Sequence, residues 1–377
     1  MTRAYLDHAS SSPVRPEVVE AMLPYLREHA ADPGRLHAEG RRARVALEAA
    51  REQVASFLDA RPREVVFTSS GTEAVNAAVW GALGKAGGSG HVVTTAVEHS
   101  AVRDAIDRAR VECTVVGVDG CGRFSADEVV AAVRDDTVLV SVQLANHEVG
   151  TLQPAGEVGA RLREAGAAAL VHVDACAAIG HAPVSFAALG ADLCSVTAHK
   201  WGGPKGAAAL LVRRGLRIPP LLVGGAQERA RRGGVEDVPA WVGFGAACTA
   251  IDLAAEARAQ RRLIELAAGV VTAVPGVRRY GDPSAEGSLP NLLCLGVEGV
   301  EAEPILLALD QHGVAVHSGS SCSSETLEPS PVLAAMGADA DHSLRVSVGW
   351  SSTAADVERF VTALPGIVER LRALRGA

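Results

Sequence analysis

The chain has 377 residues, enough for about two or three domains, and with 48% apolar and 21% charged residues it is not a disordered chain. Thirty-six basic residues against 44 acidic ones give a formal charge of −8, which argues against a nucleic-acid-binding surface. The seven cysteines (Cys113, Cys121, Cys176, Cys194, Cys248, Cys294 and Cys322) are odd in number, widely spaced and lack a C-x-x-C, so they suit neither a zinc site nor a disulfide framework.

Reduced thiols fit a cytoplasmic enzyme. The opening "MTRAYLDHASSSPVRPE" has no signal-peptide pattern, and no stretch is long and apolar enough to span a bilayer. Within that opening, "YLDHASSSPV" has no helix or strand partner nearby, so it is expected to pack onto a distant part of the chain. Residues 39–58 place apolar side chains at helical spacing. A β-branched run over 65–68 reads as a strand, and Ser70-Gly71-Thr72-Glu73 matches a capping box that opens a helix. The alternation then repeats through strands "HVVTT", "CTVVGV", "TVLVSVQ" and "ALVHVDA", with helices between them. This is the pattern of βαβ crossovers and a mainly parallel sheet covered on both faces. "DLCSVTAHKWGGPKGAAALLVRR" breaks the rhythm and reads as a hairpin, and a long charged helix follows residue 253. The expected division is a large domain over 16–253 and a smaller α+β domain built from 1–15 and 254–377.

Ligands of open α/β sheets bind beyond the carboxyl ends of the strands. The loop "SSGT" enters a helix N-terminus that favours an anion, although a plain cap has the same sequence. His99, Asn146, His147 and Asp174 follow or end successive strands. Each taken singly is also compatible with a satisfied structural residue. Lys200 ends the apolar run "DLCSV", where apolar surroundings would lower its pKa and free the amine for a Schiff base. An anion loop, a strand-end carboxylate and such a lysine are the three parts that pyridoxal phosphate requires. Arginines at 229–232 read as a solvated face or a small-anion clamp.

With these residues assembled, the chain resembles the cysteine desulfurases among the fold-type-I pyridoxal phosphate enzymes. The matching segments are "YLDHASSSPV", "VVFTSSGTEAVN", "VEHSAV", "ANHEVGTLQP", "HVDACAAIG", "AHKWGGPKG", "GGAQERARRGG", "HSGSSCSSETLEPS" and "LRVSVGW". The resemblance implies a seven-stranded, mainly parallel sheet in the large domain. It implies that Lys200 bonds pyridoxal 5′-phosphate, that Asp174 pairs with the ring nitrogen, and that Gly71, Thr72, Thr197 and His199 bind the phosphate. It makes His99 the stacking and proton-shuttling ring, places Asn146 and His147 at the cofactor, and gives the substrate carboxylate to Arg345 with Asn146 beside it. Cys322 becomes the nucleophile that takes sulfur from L-cysteine as a persulfide and releases alanine. A homodimer and a sulfur-acceptor protein are implied as partners, and no metal.

Three departures from the family pattern stand out. His147 replaces a second asparagine and Ala177 replaces a glutamine near the cofactor oxygen, and the expectation is that His147 supplies the contact Ala177 cannot. Val235 stands where a threonine commonly reaches the partner subunit's phosphate. The chain stops at "RLRALRGA", without the tail many housekeeping members use to dock an iron–sulfur scaffold. Other readings are a selenocysteine lyase, or a lyase or aminotransferase of the same fold, which needs Lys200 but no thiol.

Overall fold

A computed structural model describes residues 3–318 and 329–375. Its strands are β1 (Ala4–Tyr5), β2 (Val65–Thr68), β3 (His91–Thr95), β4 (Glu112–Val116), β5 (Thr137–Gln143), β6 (Leu170–Asp174), β7 (Leu193–Thr197), β8 (Ala208–Val212), β9 (Val277–Tyr280), β10 (Leu292–Val297), β11 (Val314–Ala315), β12 (His317–Ser318) and β13 (Ser343–Ser347). Strands β2 to β8 form one seven-stranded sheet in the order β2-β8-β7-β6-β5-β3-β4. Only β8 runs against its neighbours, because it is the return arm of the hairpin read from "DLCSV" onward. The expected strand "TVLVSVQ" is found over the same residues, while "CTVVGV" is shifted to begin at Glu112 and end at Val116.

Apart from the edge strand β4, the strands of the sheet are buried on both faces, so they do not alternate buried with exposed residues. Helices Gly71–Lys85 and Ser100–Ala109 bury Val75, Val79, Val102 and Ile106 on one face, against Val92 and Leu139. On the other face, helices Ala38–Phe57 and Val238–Ala250 bring Leu47, Val54, Trp241 and Phe244 onto Phe67, Val140, Val173 and Val196. Phe67 stacks on Trp241 with ring centroids 4.9 Å apart. A second core lies around the antiparallel sheet β12-β13-β10-β9, covered by helices Leu253–Ala268, Ala302–Gln311 and Ala354–Arg375. The N-terminal segment joins this second part: β1 pairs parallel with β11, and Asp7 bridges to Ser347. No single described helix is long and apolar enough to cross a membrane.

The arginine run at 229–232 is partly exposed and partly paired: Arg229 lies on the surface, and Arg231 Nη2 is buried without a hydrogen-bond partner. Arg229 pairs with Glu48 at 3.1 Å and Arg232 with Glu73 at 2.9 Å. Beside them, the buried Arg51 guanidinium forks onto the buried Glu228 carboxylate, which also accepts the Phe67 N–H at 2.8 Å. Glu228, Arg229 and Ala230 are all left-handed, with φ of +48°, +58° and +59°. A side chain in that region is strained, and the buried ion pair is what holds the segment there.

At the carboxyl end of the sheet, Glu98 is buried between β3 and β5. Its Oε1 accepts the Thr95 hydroxyl and the Gln143 N–H, and its Oε2 has no partner. Burial pushes this carboxyl up to about 8, with the nearby Asp174 charge adding to the rise.

Two outcomes follow. Ala230 is exposed, so Ala230→Gly relieves its backbone without opening a cavity, and a net gain of about 0.5–1 kcal/mol is expected in a denaturant titration. A loss of stability would show that the segment is not strained. For Glu98, the folded state alone keeps the proton between the ordinary value of 4.5 and about 8, so stability falls as pH rises through that window. Glu98→Gln has no proton to lose, and its melting temperature is expected to gain on the wild type from pH 5 to pH 8. A difference that does not change with pH would contradict this.

Candidate active site

The last residues of β5, β6 and β7 are Gln143, Asp174 and Thr197, and all three line a cavity of about 290 Å³ at the carboxyl ends of the parallel strands. Strand periodicity puts Ser141, His172 and Ser195, two residues earlier, on the same side of the sheet one row below. His172 bridges the two serine hydroxyls at 2.8 Å each. Burial holds its imidazole down to about 4, so it is a neutral polar strut. The strand-end Asp174 thus stands on a satisfied row, and its Oδ1 accepts the Cys176 N–H at 2.9 Å.

One wall of the cavity is the first turn of helix Gly71–Lys85. Ser70 caps it by accepting the Glu73 N–H at 3.1 Å. The reciprocal half of the expected capping box is displaced by one residue, because the Glu73 carboxylate takes the Ser69 N–H, at 2.8 Å, and the Ser69 hydroxyl. Gly71 and Thr72 line the cavity at this helix end, where first-turn N–H groups have no acceptor within the helix. A Cβ on Gly71 would come within 2.7 Å of Cys176 Sγ, so only glycine fits. Next to it, Thr197 Oγ1 and His199 Nδ1 lie 2.9 Å apart. Burial, helped by Lys200 and Lys205, holds His199 down to about 4, which makes it a neutral ring.

Lys200 follows β7 and reaches the same cavity, with Ala177 and Cys176 beside it. Arg345 on β13 closes the far side. It is buried, and donates to the His147 carbonyl at 3.0 Å, to Asp7 at 3.1 Å and to Ser10 at 2.7 Å. Its Nε is buried without a partner. His99 caps helix Ser100–Ala109, its Nδ1 accepting the Ala101 N–H at 3.0 Å. The His147 ring meets His99 edge-on, with centroids 5.0 Å apart. Asn146 lies just behind the lining, and its amide is spent on the backbone, accepting from Glu148 and Val149 on its own loop and donating to the Val97 carbonyl after β3. His147 and Ala177 share this cavity and also a smaller one behind Lys200, so the two departures from the family pattern are spatial neighbours.

Of the residues expected at the site, Gly71, Thr72, His99, His147, Asp174, Thr197, His199, Lys200 and Arg345 converge on one cavity. Cys322 lies outside the described residues. Sequence reasoning did not find Gln143, Cys176, Ser10, Glu98 or Glu148. The first gave no signal beyond its place at a strand end, and Ser10 was visible only as part of an N-terminal segment without local partners. The donor set suits pyridoxal phosphate: a glycine cradle and hydroxyl and imidazole groups at a helix N-terminus, a strand-end carboxylate, a lysine and an orphaned arginine N–H.

A family profile described as aminotransferase class-V matches residues 4–360. The cysteine desulfurase of Trichormus azollae is 40% identical over 383 residues, covering 99% of this chain and 95% of that protein. Among solved structures, a NifS-like protein superposes with a TM-score of 0.91 at 32% identity, covering 98% of this chain and all of that one. A structure described as SspA in complex with cysteine gives a TM-score of 0.81 at 27% identity over 93% of this chain and all of that one. With the cavity, its lysine and its arginine already in place, these likenesses leave one assignment: the chain belongs to the cysteine desulfurase family of class-V aminotransferases.

Proposed function

We propose that this cysteine desulfurase holds pyridoxal 5′-phosphate in the cavity, binds L-cysteine against Arg345 and passes the sulfur to Cys322 as a persulfide, releasing L-alanine. The observation that carries the reading is the convergence of Lys200, Asp174, the helix end at Gly71–Thr72 and Arg345 on one cavity. Bound there, the cofactor would supply an electron sink for the carbon skeleton of the substrate. The phosphate would be held by Gly71, Thr72, Thr197 and the neutral His199. Asp174, fixed by the Cys176 N–H, would face the ring nitrogen, and His99 would lie against the ring. Arg345 is held in place by Asp7, Ser10 and the His147 carbonyl, and its unpartnered Nε favours a carboxylate.

Two observations support Cys322 as the sulfur carrier. The six described cysteines are free thiols, and burial raises every one of them, including Cys176 in the cavity, so none is a ready thiolate. The residues on either side of 319–328 also adjoin residues of the site: His317 pairs in register with Arg345, and the Ser330 hydroxyl donates to Glu148, the neighbour of His147. The reading includes a cytoplasmic homodimer that hands its sulfur to an acceptor protein. Leu222, Val223 and Val235 are exposed around the segment where Gly233 N bonds Leu222 O, and such a patch suits a partner subunit.

The decisive assay follows visible cofactor absorbance, alanine and sulfide with L-cysteine. Cys322→Ser is expected to keep the cofactor band and lose sulfur transfer, whereas Lys200→Ala is expected to lose the covalently bound cofactor and both products. Sulfide release surviving intact in Cys322→Ser would rule out the persulfide route. For the assembly, light scattering is expected to give a dimer, and Val223→Glu with Val235→Glu is expected to give monomers. A wild-type monomer would refute it.

A further inference from the structure

The main-chain carbonyl of Lys200 is approached by two buried imidazole groups. From one side the Ser12 hydroxyl donates to it at 2.7 Å, and His8 Nδ1 lies 2.8 Å from the Ser12 oxygen. From the other side His181 Nε2 lies 3.3 Å from the same carbonyl. His8 and Ser12 are only 1% and 6% exposed, and neither is among the residues that line the cavity. The proton positions on the first route are fixed by the acceptor at its end. A carbonyl only accepts, so the single Ser12 proton goes to Lys200 and the Ser12 oxygen takes one from His8. Burial, with His181 nearby, holds His8 down to about 4, so its ring is neutral and carries one proton. That proton is on Nδ1, which leaves Nε2 as the lone-pair nitrogen. Nε2 faces the Ser352 hydroxyl at 3.1 Å, and Ser352 Oγ accepts the Gly349 N–H at 3.0 Å. Every bond points the same way, from Gly349 through Ser352, His8 and Ser12 to Lys200, and aligned hydrogen bonds strengthen one another. A Cβ on Gly349 would run into the His8 ring, so the ring is packed directly on the backbone there.

The two ends of this chain of bonds belong to the two halves of the site. Gly349 and Ser352 follow β13, the strand that carries Arg345, and Lys200 follows β7. The short segment from Asp7 to Ser12 touches both halves. Asp7 and Ser10 bond Arg345, while Ser12 also donates its N–H to the His199 carbonyl at 2.7 Å. The Ser10 N–H returns to the Asp7 carbonyl at 3.2 Å, which folds the segment into a turn. A substrate held by its carboxylate on Arg345 has its α-nitrogen one carbon away, and the reacting groups around Lys200 must stand within bonding reach of it. A displacement of about 1 Å can cost on the order of 10²-fold in rate, even when its cause lies away from the chemistry.

Resting on the function proposed above, we propose that His8 is a positioning residue for this reaction: in its Nδ1–H form it aims the Ser12 hydroxyl at the Lys200 carbonyl and so keeps the lysine main chain in register with the Arg345 clamp. No bond to the substrate forms or breaks at His8.

The test uses the holoenzyme with L-cysteine, with the cofactor content of each variant read from its visible absorbance. Ser12→Ala is expected to lower kcat by about 10-fold with KM changed less than about 2-fold, because the carboxylate clamp is left intact. Ser12→Thr keeps the hydroxyl and is expected to restore most of the loss. His8→Asn places an amide N–H near the position of Nδ1 and should retain more of kcat than His8→Gln, whose amide reaches the position of Nε2. A role in packing alone would favour glutamine, which is closer to histidine in size. Nitrogen-15 ring spectra taken without substrate are expected to show His8 protonated at Nδ1 and bare at Nε2. A wild-type kcat in Ser12→Ala, a higher kcat in His8→Gln than in His8→Asn, or a His8 ring protonated at Nε2 alone would each overturn the proposal. If the wild type itself released no alanine from L-cysteine, the function would fail instead, so the two failures are distinguishable.

Discussion

The site depends first on one buried cation. Arg345 sits on β13, is only 1% exposed, and meets Asp7 and Ser10 from the chain's beginning and the His147 carbonyl from the loop after β5. Three segments far apart in sequence are gathered by one guanidinium. Taking one partner from a buried pair leaves an uncompensated charge and typically costs about 3–5 kcal/mol. The N-terminal segment is thereby bound to the cavity, and the arginine is fixed in orientation before any substrate arrives. Prior placement of that kind is what an enzyme needs from a carboxylate clamp.

A second constraint acts through the sheet. Parallel strands end together, so β5, β6 and β7 present Gln143, Asp174 and Thr197 side by side. Polar atoms at the end of a buried sheet are tolerable only when bonded. The Ser141–His172–Ser195 row below and the Cys176 N–H on Asp174 meet that need. Glu98 is the exception, with one oxygen unpartnered and its carboxyl pushed up by burial. The cavity and the residues just behind it therefore bring together carboxylates of different character: Asp174, which lines the cavity and accepts the Cys176 N–H, Glu148, met by Ser330 and His147, and Glu98, inclined to hold its proton.

Much of the layout was legible in the sequence. The β-branched runs predicted the strands of the large sheet, and the Gly/Pro break after "DLCSV" predicted the hairpin that reverses β8. The orphan segment "YLDHASSSPV" predicted a distant partner, found in β11 and β13. The capping box was legible only by half: Ser70 caps as its spacing requires, but Glu73 is drawn to Ser69 and to Arg232. The ion-pair partners of Arg229 and Arg232 were not legible, because Glu48 and Glu73 lie about 160 residues or more away along the chain.

The sequence by itself determined which residues could carry the chemistry, because strand ends, a glycine-opened helix and a lysine after an apolar run are local patterns set by backbone geometry. It also determined the alternation that makes a parallel sheet. Only the tertiary structure decided what each group is bonded to. That His99 spends its lone pair on a helix cap, that Glu148 lies behind His147 and that Arg345 is held by Asp7 are contacts between chain segments. They depend on burial and on distances of a few ångströms, which no local pattern of residues encodes.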